Sequence, residues 1–146
     1  MANDLDWYGL TPMNVEYAFL CDYADPGNKL TAVGIGIDSI YADTLPAMHP
    51  QLFTVLALKF TPNETRRDRT FEMHVQDADA KDIIPAITDN LHIPAPAEGM
   101  TYRTSRIVNG LYGLRFERFG DYQVSWLLDG IEVHALHFRV TEKPAG

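Results

Sequence analysis

A hydrophobic period of two residues, interrupted at regular intervals by turn-forming residues, constrains this chain more than any other feature. Val15, Tyr17, Phe19 and Cys21 alternate with Glu16, Ala18, Leu20 and Asp22. Successive side chains of a strand point to opposite faces, so this pattern predicts a strand over about residues 13–23. Asp25-Pro26-Gly27-Asn28 then marks a turn, because proline presets the first turn dihedral while glycine and asparagine accept positive φ. A second strand over Lys29 to Asp38 closes an antiparallel hairpin. Gln51 to Phe60 is apolar on both faces, as a central strand covered on both sides should be, and Thr61-Pro62-Asn63-Glu64 ends it. Phe71, Met73 and Val75 alternate with Glu72, His74 and Gln76, which predicts a strand with one wet face.

The second half reads the same way. Pro85, Pro94 and Pro96 exclude a long helix from residues 77–99 and leave room for a short strand near Ala86–His92. Strand character returns over Thr101–Asn109 and Leu114–Phe116. Tyr122, Val124, Trp126 and Leu128 alternate up to Asp129-Gly130, a tight hairpin turn, and Ile131–Val140 is the returning strand. Gly120-Asp121-Tyr122 resembles a tyrosine corner, in which the phenol reaches back to backbone a few residues upstream. The expected fold is all-β: a single antiparallel β-sandwich of about eight strands, Ig-like or of related Greek-key topology. It occupies residues 13–141, behind an N-terminal arm of residues 1–12.

Thr31 to Ile40, TAVGIGIDSI, raises the question of a phosphate cradle. A dinucleotide fingerprint needs a third glycine and a following helix, and a Walker loop needs Gly-Lys-Ser/Thr; neither is present. The preferred reading is a strand with Val33, Ile35 and Ile37 on one face and a bare groove at Gly34 and Gly36 on the other. His134 and His137, spaced by three on a strand, point to opposite faces unless a bulge intervenes. His49, His74 and His92 are scattered, and no cysteine supports zinc. Asp77, Asp79 and Asp82 lack the glycine and glutamate of a calcium loop and read as an acidic turn. Arg66, Arg67 and Arg69 read as a solvated turn, and Cys21 as a buried, inert thiol. With no Gly-x-Ser-x-Gly elbow, the expectation is no enzyme, no cofactor and no metal.

Net charge bears on partners. At −8 over 146 residues, the surface repels nucleic acid and anionic membranes, and both are excluded on that ground. No apolar run approaches the roughly 18 residues of a spanning helix, and MANDLDWYGL is no signal peptide, so the expected location is the cytoplasm, or a virion if phage-borne. Leu5, Trp7, Tyr8 and Leu10 set apolar side chains among aspartates in the arm, which either folds back on its own domain or docks on a protein partner or second copy.

Val15 to Asp22, Asn28-Lys29-Leu30, Gly34 to Ile40, His49-Pro50 and Asn63-Glu64, with the ending Gly120-Asp121-Tyr122, Asp129-Gly130 and Phe138-Arg139-Val140, resemble an uncharacterised family of short bacterial and phage-borne β-sandwich proteins. The resemblance spans about residues 14–140 and implies the all-β fold. It implies no activity. The function expected is a non-catalytic interaction module working through protein contacts, as an accessory domain or in a larger assembly such as a phage particle. The alternative is a small-ligand or carbohydrate-binding module with Tyr102, Tyr112 or Trp126 as stacking platform, and behind it stands a metal-binding protein or hydrolase using His134 and His137.

Overall fold

The computed structural model describes residues 13–144. Ten strands follow in order: β1 (Asn14–Cys21), β2 (Tyr23–Asp25), β3 (Thr31–Val33), β4 (Ser39–Ala42), β5 (Ala47–Phe60), β6 (Arg67–Gln76), β7 (Ile87–Ile93), β8 (Arg103–Phe116), β9 (Gly120–Leu128) and β10 (Ile131–Glu142). One sheet runs β1-β5-β8, a second β4-β10-β9-β6-β7, and β2 and β3 form a separate ribbon. The expected all-β class holds. The strand number is ten rather than about eight, and β4 pairs with β10 in parallel, so the Ig-like topology is not carried forward.

The two larger sheets face each other across one core. Leu52, Leu56, Leu58 and Phe60 of β5 meet Phe71, Met73 and Val75 of β6 and Val124, Trp126 and Leu128 of β9, all buried. Each such side chain contributes roughly 1.5–3 kcal/mol when fully withdrawn from water. Tyr122 forms the corner its sequence context predicts: its hydroxyl donates to the Arg118 carbonyl at 2.6 Å. Its ring packs on Phe116 and Phe138, with centroids 4.9 and 5.7 Å away. At the following turn Asp129 and Gly130 both take positive φ, 51° and 80°. Asp129 accepts from the Thr70 amide and pairs with Arg69. Arg67 and Arg69 therefore lie on β6 rather than in a solvated turn.

Three expectations change. Glu16 is bulged out between Val15, opposite Leu58, and Tyr17, opposite Ala57. The bulge reverses the side-chain parity of β1: Val15, Ala18 and Leu20 join the main core, while Tyr17, Phe19 and Cys21 face the other way. Second, the predicted strand Lys29–Asp38 is only Thr31–Val33. The chain then leaves the ribbon, since Gly34 and Gly36 have φ of +69° and +93° and Gly36 and Ile37 both donate to the Leu20 carbonyl. It enters β4 on the opposite sheet. TAVGIGIDSI is a crossover rather than a glycine-grooved strand, and a Cβ at Gly34 would fall on the Asp22 carboxylate. Third, β8 is continuous through Gly110 and Gly113. A side chain at Gly110 would strike the Phe53 ring, so glycine there is what lets that aromatic lie across the sheet.

Candidate functional site

The outer face of the β1-β5-β8 sheet is built by register alone. Tyr17, Ala57 and Arg106 share one row, and Phe19, Val55 and Val108 the next. The β2–β3 ribbon lays Ala24, Leu30 and Ala32 over Cys21, Phe53 and Val55, making a second small core. Beside the ribbon runs an open groove of about 490 Å³ lined by Tyr17, Phe19, Lys29, Leu30, Ile35 and Arg106. Arg106 Nε donates to the Tyr17 hydroxyl at 3.1 Å, and the Tyr17 and Phe19 rings stack with centroids 6.0 Å apart. Near the groove's end the Lys59 ammonium lies 4.0 Å above the Tyr102 ring. Lys29, Lys59 and Arg106 form no ion pair among the described residues. On the same face Phe53 contacts Tyr23 and Tyr112 edge-on, at 5.1 and 5.9 Å. Tyr112 is 66% exposed and Ile35 60%.

The outer face of the five-stranded sheet is tied up internally. His74 Nδ1 meets Asp82 at 3.0 Å and Nε2 meets Glu72 at 3.3 Å. Partial burial opposes the charged imidazole, yet the hydrogen bonds to Asp82 and Glu72 outweigh it and raise the His74 pKa above its ordinary value. Gln76 donates to Asp82 and accepts from Gln123. The buried Ser125 hydroxyl donates to Glu132 at 2.5 Å, rather than to an imidazole.

The residues singled out from sequence separate accordingly. His134 stands opposite Trp126 on the core side and His137 opposite Gln123 on the outer side. The β10 bulge lies at Val133, before both histidines, and so does not bring them together. Asp77 Oδ1 accepts from the Asp79 and Lys81 amides, while Arg118 spans Asp77 and Asp79 at 3.0 and 3.1 Å. The Lys81 and Asp79 amides, with Arg118, hold the Asp77 carboxyl below its ordinary pKa. Among the described residues no group of three or more His, Cys, Asp and Glu is arranged to hold a metal. Cys21 is fully buried, its thiol donating to the Tyr23 carbonyl, and burial pushes its pKa up. Trp126 is core and Tyr102 lies under Lys59, which leaves Tyr112 as the exposed ring of the three stacking candidates. Leu5, Trp7, Tyr8 and Leu10 lie outside the described residues. Sequence reasoning passed over Tyr17, Lys29, Lys59 and Arg106 as a group, because no local pattern joins positions up to 89 residues apart.

The family described as "Family of unknown function (DUF6941)" matches residues 16–141. The chain belongs to this family. Membership of DUF6941 brings no reaction with it. No curated protein matches the chain. Among solved structures it is similar to the Pseudomonas fluorescens alkylpurine DNA glycosylase AlkC bound to DNA containing an abasic site analog, at 9% identity and a TM-score of 0.49. The match covers 90% of this chain and 31% of that one. The partner expectation, a protein or second copy with nucleic acid excluded, is corrected here: nucleic acid is no longer excluded. The flaw lay in arguing from net charge, which averages over a surface that gathers Lys29, Lys59 and Arg106 on one face. No helix among the described residues is long and apolar enough to cross a membrane.

Proposed function

We propose that this DUF6941 member is a non-catalytic interaction module that works through contacts made by the outer face of its three-stranded sheet, as an accessory domain or as part of a larger assembly. The observation that carries this reading is the contrast between its two outer faces. One carries the internal hydrogen-bond network of His74, Asp82, Gln76 and Gln123. The other leaves Tyr23, Ile35 and Tyr112 exposed, beside cations without carboxylate partners among the described residues. Tyrosine and arginine dominate binding energetics at interfaces, where large rings lose water at low entropic cost. The working location in this reading is the cytoplasm, or a particle if the gene is phage-borne.

The test is partner capture, with light scattering to register self-assembly. Partners retained by the wild type should be lost with Tyr23→Ser and Tyr112→Ser, and kept with Tyr41→Ser, whose exposed ring lies on β4 of the other sheet. Loss through Tyr41→Ser alone would move the function to the other face. The exposure of Tyr112 favours a carbohydrate-binding module as second reading; oligosaccharide binding abolished by Tyr112→Ala would select it.

A further inference from the structure

The groove beside the ribbon has a floor and a rim of different chemistry. Phe19, Leu30 and Ile35 give an apolar surface, and Lys29 and Arg106 stand at it without carboxylate partners among the described residues. Arg106 is fixed by its bond to the Tyr17 hydroxyl, so part of the entropic cost of ordering that side chain is already met. Lysine and arginine lay their methylene stems along apolar surface and carry charge at the tip. A ligand suited to this groove presents apolar groups downward and anionic groups upward.

We propose that the groove takes an extended acidic peptide segment in which carboxylates alternate with apolar side chains. The proposal rests on the interaction-module reading and names the ligand class for one end of that face. In an extended segment, alternate residues point to opposite sides, so apolar side chains reach Phe19, Leu30 and Ile35 while carboxylates face the rim cations. The rings argue for peptide over single-stranded nucleic acid. Tyr17 and Phe19 stack on each other, 17° from parallel, and Lys59 covers Tyr102, so none is poised as an open platform for a base. The stretch Asn3-Asp4-Leu5-Asp6-Trp7-Tyr8-Gly9-Leu10, which lies outside the described residues, has the required composition with large apolar side chains and supplies the probe.

A fluorescein-labelled synthetic peptide of that sequence is titrated against the full chain by anisotropy, with an unlabelled dT oligonucleotide as competitor. Saturable binding is expected, weakened about five- to tenfold by Arg106→Glu and by Lys29→Glu, where a close attraction becomes a repulsion. Lys81→Glu makes the same charge change in the acidic turn and should leave binding unaltered. Affinity should fall as ionic strength rises and the screening length shrinks from ~30 Å at 0.01 M to ~8 Å at 0.15 M. Arg106→Gln keeps a hydrogen-bonding side chain and covers the case in which Arg106→Glu fails to fold; it should bind less tightly than wild type. No saturable binding, binding indifferent to all groove variants, or groove-dependent capture of the oligonucleotide instead of the peptide each overturns the proposal. Loss of captured partners through Tyr112→Ser alongside a failed peptide titration would leave the broader module reading standing.

Discussion

Gly34→Ala probes the crossover directly, and its cost separates into two parts. The first is backbone strain: at φ +69° an L-residue with a Cβ pays roughly 1–2 kcal/mol. The second is steric, because the new methyl group lands on the Asp22 carboxylate and forces that side chain out of its rotamer, at roughly 0.5–1.5 kcal/mol. The total is about 2–3 kcal/mol, or about 1–2 M in urea midpoint. In an Asp22→Ala background only the Asp22 Cβ remains, 3.0 Å from the new methyl group, and most of the steric part disappears. A double-mutant cycle by urea denaturation should therefore return about 1 kcal/mol of coupling. Gly36 supplies the control. It has φ +93° and nothing within 4 Å of a built Cβ, so Gly36→Ala should pay strain alone and add to Asp22→Ala without coupling. Equal costs of Gly34→Ala in the two backgrounds, or coupling between Asp22 and Gly36, would refute the account of the crossover.

Tyr122→Phe keeps the ring edge-on to Phe116 and stacked on Phe138 and loses only the bond to Arg118, so it should cost about 0.5–1.5 kcal/mol, against about 3–5 for Tyr122→Ala; thermal unfolding that cannot tell the two apart sinks the corner's dual role. The His74 pKa is raised in the fold, so its stabilisation is complete below the unfolded value of about 6.5 and is lost as pH rises through the folded value. Urea midpoints from mildly acidic to mildly basic pH should fall for wild type and stay flatter for His74→Gln. Asp129 is the opposite case: the Thr70 amide and then Arg69 lower its pKa, so its contribution is present above the unfolded value of about 3.9 and is lost as pH falls through the folded one. Asp129→Asn should flatten the acid limb of the stability curve, and an unchanged limb would show that the turn does not depend on the charge.

Local pattern carried the sequence reading as far as local pattern reaches. The alternations in β6 and β9 and the Asp129-Gly130 turn were legible because strand period and turn chemistry are written within ten residues of each other. The bulge at Glu16 was not, since a single extra residue leaves the sequence alternating while reversing which half of it faces the core. The pairing of β4 with β10 joins segments about a hundred residues apart and has no local signature. The groove was hidden for the same reason: Tyr17, Lys29, Lys59 and Arg106 become neighbours only through the register of β1, β5 and β8 and the placing of the ribbon.

The β4–β10 pair has a consequence for the chain as it is made. Among the described residues, Ser39 to Ala42 find their sheet partners in Arg139 to Glu142, and Ala42 accepts a further bond from the Lys143 amide. On a ribosome adding roughly 5–20 residues per second, the early strand waits about 5–20 s for the late one to be synthesised. The five-stranded sheet therefore cannot reach its native edge before nearly all of the described residues exist. Nascent chains stalled before residue 139 should accordingly expose the segment around Ile40 to proteases or chaperones, although that side chain is buried in the finished protein.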